Sequence, residues 1–588
     1  MRIADYIAQT LADRGIRHVF MVTGGAAMFL NHAFGSEPRL EIVCNHHEQA
    51  CAMAADGYFR ASGKMAAVNV TAGPGAINAL NGVFGAWTDS IPMLVVSGQV
   101  KRQTCMATYD LTNLRQLGDQ EVDIIRMVRG ITKYAACLTD PATAPYHLRR
   151  AIHLATTGRF GPCWLDVPID IQSAQLPTAN LTVYDPGEDT IHFGPTRIDE
   201  CLWRIADAKR PVILAGSGIR LSGAVDLFHQ AIAKLAIPVA TAWTHDIIAT
   251  DDPLFCGRQG TIGQRAGNFT VQNADLLLIL GARLPIRQIS YNWESFAPKA
   301  YKIWVDIDEA ELNKPTVKPD LPIHCDVKDF LRDIIAAPYS PGRHADWLAW
   351  CKDRQGRYPP VLPHQRKWNG AINPYHFMET LFGNLADDDM VVCGDATACI
   401  VPFQTARLRL DQRLFSNSGA ASMGWDLPAA IGAAIARGGK RIICLAGDGS
   451  VQMNMQELQT LVHHHLPVKI FILGNGGYLS IRTTQNNFFG KQTGSGPDSG
   501  VTTPDMTKIA AAYDIPRLKI DRPDFAPLIR QVLATEGPFL TDVVLDQSQT
   551  FEPRLSSRQL PDGRMETAPL EDMFPFLDRD ELKENMLE

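Results

Sequence analysis

The stretch LAGDGSVQMNMQELQTLVHHHLPVKIFILGNGGY fills residues 445–478 and contains two apolar runs that each end in a glycine-rich turn. RIICLAG (441–447) leads into Asp448 between two glycines, and KIFILG (469–474) leads into Asn475. Apolar runs without strict alternation are typical of strands covered on both faces, and the stretch between them predicts a parallel strand–helix–strand unit. Because ligands bind at the carboxyl ends of such strands, we expect both polar residues to lie side by side.

A carboxylate, an amide oxygen and a nearby backbone carbonyl are hard oxygen ligands that suit Mg²⁺, which keeps further positions for water or phosphate. We also predict a helix over residues 452–463, whose N-terminal amides favour a phosphate group. The stretch therefore predicts a site for magnesium and a diphosphate. Ordinary β-turns, in which Gly, Asp and Asn are common, are the alternative interpretation.

Similar apolar runs, each followed by a helical pattern, recur along the whole chain. Besides the two already quoted, they lie at 18–22, 66–70, 93–98, 211–216, 276–281, 302–307 and 390–394. The alternation of strand and helix predicts an α/β fold with parallel, doubly wound sheets. A chain of 588 residues is too long for one core, so we expect three such domains in succession.

Two stretches rich in turn-forming residues, 176–197 and 338–373, interrupt this pattern and predict linkers. We therefore expect a first domain, a central domain, a third domain and a C-terminal arm over the surface, at 1–178, 192–340, 370–550 and 551–588. The first and third domains have similar size and rhythm, although no close internal repeat is visible.

Composition excludes several classes of protein. The chain is 46% hydrophobic and 20% charged with a net charge of −7, so neither nucleic acid nor an anionic membrane is the expected partner. The 12 cysteines form no C-x-x-C pair, which predicts free thiols in a reducing cytoplasm rather than a zinc site or a disulfide framework. No apolar run reaches the length of a membrane span, and residues 1–15 predict an amphipathic helix rather than a signal peptide.

The spacing of GDG, 24 residues and then Gly-Asn resembles the fingerprint of thiamin diphosphate (ThDP) enzymes, with Gly474 in place of a first asparagine. The segment HHEQACAMAADGYFRASG (46–63) is similar to the HEQ…GYAR…G segment of acetohydroxyacid synthases. This resemblance implies that the first and third domains bind the pyrimidine and the diphosphate of ThDP. It also implies that the metal ligands are Asp448, Asn475 and the backbone oxygen of Gly477.

By the same resemblance, Glu48 is the glutamate that activates the cofactor. A carboxyl group hydrogen-bonded to the pyrimidine promotes the imino tautomer, and the ring's own amine then takes the thiazolium C2 proton. An apolar pocket would tune the pKa of this carboxyl, and the neighbours of Glu48 are compatible with one; they are Ala50, Ala52 and Met53. A glutamate on a helix surface is the alternative interpretation.

Further segments, VTGGAAM (22–28), TAGPGAIN (71–78) and SNSGAASMG (416–424), are similar to segments of the same enzymes. Together they imply cofactor-binding positions at Gly24, Gly25, Pro74, Asn78, Gly394, Met423, Gly447, Asp448, Gly449, Ser450, Asn475 and Gly477. Met423 would be the apolar wedge that bends ThDP, and a core methionine is the alternative. Gln120, in LGDQEVDII (117–125), and His47 would lie near the substrate, with a solvent-facing loop amide as the alternative for Gln120.

The central domain resembles the FAD-binding domain of acetohydroxyacid synthases. The implied FAD-binding residues are Gly216, Gly218, Gly260, Thr261, Gly281, Arg283, Asp306 and Asp326. Gly-rich strand ends allow close approach of a dinucleotide diphosphate. Any FAD would be structural, because the expected chemistry transfers no net electrons, and relatives without flavin share this type of domain.

Two positions differ from the acetohydroxyacid synthase of the valine and isoleucine pathway and affect the expected acceptor substrate. Asp119 stands where that enzyme has phenylalanine, and Gln485 stands where it has tryptophan. Polar side chains in the wall of the acceptor pocket favour a more hydroxylated or larger acceptor. The pattern is most similar to the yersiniose-type carboligases of polysaccharide biosynthesis, which implies transfer of a two-carbon unit from a 2-keto acid, such as pyruvate, to a ketone such as a keto-deoxysugar nucleotide.

Other interpretations stay open within the same family: an acetolactate synthase catalytic subunit, a 2-keto acid decarboxylase, or a C–C hydrolase of a cyclic diketone. A flavin or nicotinamide oxidoreductase built on the central domain, and a non-catalytic binding protein, are alternatives from other classes. The resemblance also implies a homodimer or homotetramer, because Glu48 and Asp448 belong to different domains that would meet across a subunit interface.

Overall fold

The computed structural model describes residues 1–109, 111, 113–559 and 562–587. Three six-stranded sheets follow one another along the chain, and every strand pair within them is parallel. Central strands of the first and central sheets are buried along their whole length, and that of the third sheet is buried up to its last residue, Gly474, because helices cover both faces. The predicted α/β fold of three consecutive doubly wound parallel-sheet domains is confirmed.

The first sheet has the strand order β2-β1-β3-β4-β6-β5. Its strands are β1 His18–Met21, β2 Glu41–Cys44, β3 Ala67–Val70, β4 Met93–Gln99, β5 Tyr134–Cys137 and β6 Pro162–Pro168. Its helices are α1 Ile3–Asp13, α2 Met28–Ser36, α3 Glu48–Ser62, α4 Pro74–Asn78, α5 Leu80–Thr88, α6 Ile124–Val128, α7 Ala144–Ala155 and α8 Ile169–Ser173.

The central sheet has the order β12-β11-β10-β7-β8-β9. Its strands are β7 Pro211–Ala215, β8 Val239–Ala242, β9 Phe255–Gln259, β10 Leu276–Leu280, β11 Tyr301–Asp306 and β12 Leu321–His324. The helices around it are α9 Ile198–Asp207, α10 Gly218–Leu221, α11 Val225–Leu235, α12 Arg265–Gln272, α13 Ile286–Ile289, α14 Glu309–Asn313, α15 Val327–Ala336 and α16 Ala345–Arg357. Helix α16 lies inside the predicted linker 338–373, where Trp347 and Cys351 anchor it by burial in the central core.

The third sheet has the order β14-β13-β15-β16-β18-β17, which repeats the order of the first sheet when strands are counted within each domain. Its strands are β13 Met390–Cys393, β14 Arg413–Phe415, β15 Ile442–Gly447, β16 Val468–Gly474, β17 Arg517–Ile520 and β18 Phe539–Val544. Its helices are α17 Pro374–Gly383, α18 Thr397–Thr405, α19 Asp426–Ala436, α20 Glu457–His463, α21 Leu479–Phe488, α22 Met506–Ala512 and α23 Ala526–Ala534.

The helix predicted over 452–463 is shorter than expected. Residues Val451–Met453 form a single 3-10 turn, and α20 begins only at Glu457. Asn454 breaks the helical path with φ −138° because its side-chain amide donates to the backbone oxygen of Gly424 at 2.7 Å. The N-terminal amides of α20 therefore do not follow the GDG turn directly, so the predicted bounds of this helix are wrong. Its role in phosphate binding stays a prediction.

The C-terminal arm contains a short hairpin, β19 Ser557–Gln559 and β20 Met565–Thr567, and one helix, α24 Arg579–Glu584. It packs on α12 of the central domain, where Asn268 donates to the backbone oxygen of Leu570 at 2.8 Å. Gln272, on the same helix, donates to the carboxylate of Glu571 at 2.7 Å. In the described part of the chain, every helix is too short or too polar to cross a lipid bilayer.

The first and third domains are joined by a close crossing of α3 and α19. A Cβ atom at Gly57 would lie 2.2 Å from the backbone oxygen of Ala429, and one at Gly432 would lie 1.9 Å from that of Ala54. Both positions therefore require glycine for the two backbones to touch. Since α3 begins at Glu48, this crossing fixes the helix that carries the predicted catalytic glutamate.

Candidate active site

Asp448 and Asn475 emerge from neighbouring strands at one edge of the third sheet. Strands β15 and β16 pair in parallel with Gly447 opposite Leu473, so the two turns that follow lie next to each other. Asp448 is 4% exposed, and its Oδ2 accepts from the backbone N–H of Gly477 at 3.0 Å. Its Oδ1 accepts from the N–H of Gly449 at 2.9 Å. One carboxylate thus ties both turns together.

Asn475 presents an oxygen without a partner. Its Nδ2 donates to the hydroxyl of Thr397, the first residue of α18, at 2.9 Å. Its Oδ1 is buried and accepts no hydrogen bond, although buried polar atoms are normally satisfied. Together with the Asp448 carboxylate, this oxygen forms a hard donor set that fits Mg²⁺. The backbone oxygen of Gly477, which accepts from the N–H of Leu479 at 3.2 Å, retains a second lone pair.

The charge state of Asp448 is also consistent with a cation. Burial raises the pKa of its carboxyl, and the N–H groups of Gly477 and Gly449 limit the rise. A nearby carboxyl, Asp542, adds to it through charge repulsion. A divalent cation beside Asp448 would favour the ionised form and offset the cost of burying a negative charge.

Glycine is required at two places in these turns. A Cβ atom at Gly449 would lie 2.3 Å from the ring of Tyr478, so this ring lies directly over the GDG turn. Gly477 has φ 114°, which strains other residues, and a Cβ there would lie 2.7 Å from the backbone oxygen of Ser495. The segment around Ser495 therefore covers the turn that follows Asn475.

The hydroxyl of Ser450 is engaged within the protein. It donates to Oδ2 of Asp426 at 2.6 Å and accepts from the N–H of Gly424 at 2.8 Å. Burial raises the pKa of Asp426 to about 6. A Cβ atom at Gly394 would lie 2.4 Å from the same carboxylate. This network holds the loop that carries Met423, which is half-buried beside the site.

Glu48 is the first residue of α3 and is half-buried. Its Oε2 accepts from the side-chain amide of Asn78 at 3.0 Å, and a Cβ atom at Gly75 would lie 3.2 Å from its Oε1. Helix α4, from Pro74 to Asn78, therefore orients the carboxylate. The three apolar neighbours of Glu48 are buried, and Ala52 and Met53 belong to two different core clusters; the three are Ala50, Ala52 and Met53.

His47 is the N-cap of α3, and its Nδ1 accepts from the backbone N–H of Gln49 at 3.1 Å. In the neutral ring this places the proton on Nε2. His47 therefore has a structural role, as the N-cap of α3, that the sequence did not reveal.

The two predicted cofactor-binding glycines after β1 differ in their surroundings. Gly24 packs against the turn that follows β3, since a Cβ atom there would lie 2.4 Å from Cβ of Thr71. Gly25 faces open space.

Gln120 lies against the same turn that orients Glu48. It has φ 61°, a left-handed conformation that is uncommon for a residue with a side chain. A Cβ atom at Gly73 would lie 2.2 Å from the backbone oxygen of Gln120. Gly73 immediately precedes α4, so Gln120 and Glu48 contact opposite parts of one short element. The neighbouring Asp119 is exposed.

Gln485 is used to brace a loop. Its Nε2 donates to the backbone oxygen of Thr493 at 2.9 Å, and its Oε1 accepts from the N–H of Thr493 at 2.9 Å. Both polar atoms of the amide are thus engaged by one residue of the segment that leads to Ser495. Gln485 therefore holds in place the segment around Ser495, which lies over the turn that follows Asn475.

Glu48 lies in the first domain, and the Asp448–Asn475 pair lies in the third. Among the described residues, no hydrogen bond or ion pair joins them. Glu457, which the sequence did not single out, forms a further link between their domains: its buried carboxylate accepts from the Asn45 side chain at 2.8 Å and from the N–H of His46 at 2.9 Å. A glutamate at a helix start carries no sequence signal for such a distant contact.

A cavity of about 760 Å³ lies where all three domains meet. Five of the eight predicted FAD-binding residues line it: Gly218, Gly281, Arg283, Asp306 and Asp326. The other three lie outside its lining: Gly216, Gly260 and Thr261. Gly216 packs so closely on the neighbouring turn that a Cβ would lie 2.3 Å from the Gly281 backbone oxygen, and Thr261 is bonded to the backbone oxygen of Arg287 at 2.8 Å.

The cavity is rich in hydrogen-bond donors. Nε of Arg220 and Nε2 of Gln288 are buried in its wall without partners, and in the described chain neither Arg283 nor Arg287 forms an ion pair. Burial raises the pKa of Asp306, at the end of β11, to about 6. Donors around an enclosed space with an acid at a strand end fit an anionic nucleotide, whose diphosphate and ribose they can bind.

Comparison with known proteins identifies the class. Residues 1–127 match the N-terminal TPP binding domain of thiamine pyrophosphate enzymes, residues 198–334 match their central domain, and residues 395–543 match their C-terminal TPP binding domain. The chain therefore belongs to the thiamine pyrophosphate enzyme family, and each match falls on one of the three sheets.

Within this family the chain is an acetolactate synthase-like enzyme. It is 30% identical over 564 residues to the acetolactate synthase large subunit of Lactococcus lactis subsp. lactis, covering 94% of each chain. It is 31% identical to the probable acetolactate synthase large subunit of Methanocaldococcus jannaschii, with 94% of this chain and 93% of that one covered. Identity to the acetolactate synthase isozyme 2 large subunit of Escherichia coli K12 is 30%, covering 94% and 97%. The yersiniose-type subgroup stays a prediction.

Proposed function

We propose that the protein decarboxylates a 2-keto acid, with pyruvate as the first candidate, and joins the two-carbon fragment to the carbonyl of a second 2-keto acid. The observation that carries the proposal is the buried, unpaired Oδ1 of Asn475 beside the Asp448 carboxylate at the edge of the third sheet. The names of the relatives support a 2-keto acid as the acceptor. The alternative acceptor, a keto-deoxysugar nucleotide, rests on Asp119, Gln485 and the resemblance of the sequence pattern to the yersiniose-type carboligases.

When bound, ThDP supplies a nucleophilic carbon that adds to the donor carbonyl and takes up the electron pair released with CO₂. Asp448, Asn475 and the backbone oxygen of Gly477 would hold Mg²⁺ and, through it, the diphosphate. Glu48 would hold a proton at the pyrimidine ring nitrogen, because Asn78 fixes its carboxylate in one orientation. Gln120 would donate a hydrogen bond to the substrate from its turn beside α4.

We further propose that the central cavity binds FAD without a redox role. The unpaired donors on Arg220 and Gln288 would bind the diphosphate, and Arg283 would add a positive charge. Asp306 would accept from ribose hydroxyls. Glu48 belongs to the first domain and Asp448 to the third. By the family resemblance these domains would meet across a subunit interface, so we propose a homodimer or tetramer in which each site takes one residue from each subunit.

The reaction is tested by product analysis. The protein is incubated with ThDP, Mg²⁺ and pyruvate, first alone and then with 2-keto acids, ketones and a keto-deoxysugar nucleotide, and the products are identified by mass and NMR. We expect a 2-hydroxy-2-methyl-3-keto acid from pyruvate alone. Formation of aldehyde alone would instead identify a decarboxylase, and a branched sugar would identify the larger acceptor. Failure to retain ThDP in the presence of Mg²⁺ would overturn the proposal, and bleaching of a bound flavin by substrate would indicate an oxidoreductase.

A further inference from the structure

The carboxylate of Glu121 organises the segment that precedes it. Glu121 is 8% exposed, and its Oε1 accepts from the backbone N–H of Met106 at 2.5 Å. Its Oε2 accepts from the N–H groups of Leu117 at 3.2 Å and Gly118 at 3.0 Å. One buried carboxylate therefore closes both ends of the loop between residues 106 and 118 with three charge-assisted hydrogen bonds.

These bonds converge on the turn that contains Gln120. The N–H of Glu121 donates to the backbone oxygen of Gly118 at 3.2 Å, which closes a four-residue turn with Gln120 at its left-handed corner, φ 61°. This corner normally takes glycine or asparagine. A residue with a longer side chain stays there only when its surroundings impose the conformation. The Glu121 carboxylate is the adjacent group that imposes it.

A second tie fixes the other side of the turn. Nε2 of Gln99, at the end of β4, donates to the backbone oxygen of Val122 at 3.0 Å and to Oδ2 of Asp166 at 2.9 Å. Asp166, on the neighbouring strand β6, also accepts from the Ser97 hydroxyl at 2.6 Å. Val122, the residue that follows Glu121, is thus hydrogen-bonded to the carboxyl end of β4, an interior strand of the first sheet. The turn is held from both sides.

We propose that Glu121 is a positioning residue for Gln120. The backbone oxygen of Gln120 packs against Gly73, the residue before α4. Asn78, at the end of α4, donates a hydrogen bond to Glu48. Glu121 therefore sets the position of the Gln120 side chain relative to Glu48 without touching the substrate. This inference rests on the proposed function, in which Gln120 contacts the substrate.

The test compares Glu121→Gln, Gln120→Ala and the double variant. Glutamine keeps the volume of Glu121 but turns an NH₂ group toward at least one backbone N–H, so the turn loosens. We expect turnover to fall up to about 100-fold in Glu121→Gln, because small misplacements of a reacting group have large effects, while ThDP and Mg²⁺ affinities stay unchanged. In the Gln120→Ala background, Glu121→Gln should cause no further loss, since the two residues act as one unit.

Hydrogen exchange gives a readout that does not depend on turnover. The amides of Met106, Leu117 and Gly118 should exchange faster in Glu121→Gln than in the parent protein. Asp189→Asn is the matched control, because Asp189, in the linker after the first domain, also accepts three hydrogen bonds, from Arg150 and Tyr184. It should leave turnover and these amides unchanged.

The inference alone would be overturned by full turnover in Glu121→Gln, or by independent losses that multiply in the double variant. Full turnover in Gln120→Ala would do the same, since there would be nothing to position. Absence of ThDP-dependent turnover in the parent protein would overturn the proposed function, and the inference with it.

Discussion

Glu48 owes its orientation to α4 rather than to its own helix. Asn78 holds one carboxylate oxygen, and the turn at Gly75 leaves space for the other because it lacks a side chain. Its first-turn position on α3 also places the negative charge at the positive end of a helix of 15 residues.

Replacing Glu48 by Gln should separate binding from catalysis. The amide keeps the shape but cannot hold and release the proton, so kcat should fall about 10²- to 10⁴-fold, whereas ThDP affinity should stay within a few-fold because Asp448 and Asn475 are untouched. Steady-state kinetics and a ThDP titration followed by circular dichroism measure both. Glu41→Gln, an exposed carboxylate on β2, is the control. An unchanged kcat in Glu48→Gln would refute the assigned role.

Asp166 gives the protein a specific dependence on pH. Burial raises the pKa of its carboxyl to about 7, and the hydrogen bonds from Ser97 and Gln99 limit the rise. A raised carboxyl pKa means that its contribution to stability is fully present below about pH 4 and is lost as pH rises through about 7.

Replacing Asp166 by Asn should therefore flatten the pH profile of stability. Between about pH 4 and pH 8 the parent should lose on the order of 2–4 kcal/mol that the variant does not lose. Thermal unfolding at a series of pH values measures the difference. Asp189 gives the opposite dependence, because the hydrogen bond from Arg150 lowers the pKa of its carboxyl. The stability that the Asp189 carboxylate provides is lost as the pH falls, so Asp189→Asn should remove a loss of stability at low pH. Parallel profiles for the parent and Asp166→Asn would contradict the prediction.

Among the elements, the interior strands and the edge strands differ in how they are encoded. The apolar runs found in the sequence are β1, β3, β4, β7, β10, β11, β13, β15 and β16, all in the interior of their sheets. Nine strands were not found: the six edge strands, and three interior strands, β6, β8 and β18. Edge strands such as EIVC (β2) and RLKI (β17) are short and partly exposed, so their sequences carry charged residues and no continuous apolar run.

The crossing of α3 and α19 is the element contact that should be most sensitive to substitution. Gly432→Ala would place a Cβ 1.9 Å from the backbone oxygen of Ala54, so the helices must separate. We expect a loss of about 1–3 kcal/mol in the free energy of unfolding, although alanine is the better helix former. Denaturant unfolding measures this loss.

Gly356→Ala is the matched control for this crossing. Gly356 is an exposed position of α16 with nothing within 4 Å of an added Cβ. This variant should be unchanged or more stable by about 0.5–1 kcal/mol. Equal effects of the two alanines would show that the helices are not in close contact.

At the scale of the whole molecule, the residues of the proposed site come from two different domains. Glu48 and Gln120 belong to the first sheet, and the Asp448–Asn475 pair belongs to the third sheet, which has the same strand order. Within one chain the two sheets are joined through α3, α19 and Glu457. We propose that a second copy completes each site.

Complementation tests this arrangement. Glu48→Gln and Asp448→Asn chains are co-expressed with different tags and purified through both. If each site takes Glu48 from one chain and Asp448 from the other, the mixed dimer has one intact site and about half the parent activity, although each variant alone is inactive. An inactive mixed dimer, with both variants folded, would place the whole site within one chain.

Some of the site could be predicted from the sequence, and some could not. Asp448 and Asn475 follow continuous apolar runs, so their places at adjacent strand ends follow from local patterns. Glu48 was assigned by resemblance, and its partner Asn78 lies only 30 positions away. The use of Gln485 to hold Thr493, of His47 as an N-cap and of Ser450 to bind Asp426 had no sequence signal, because each depends on where a polar partner is placed by packing. The boundaries 1–178, 192–340, 370–550 and 551–588 stay a prediction.

The sequence by itself determined the three parallel sheets and the residues at the ends of their interior strands. The physical reason is that double-sided burial requires continuous apolar runs, and close turns require glycine. Only the tertiary structure decided which domains share the 760 Å³ cavity, which carboxylates are buried, and how Glu121 holds Gln120. Those features depend on contacts between residues from separate elements, and no local pattern records them.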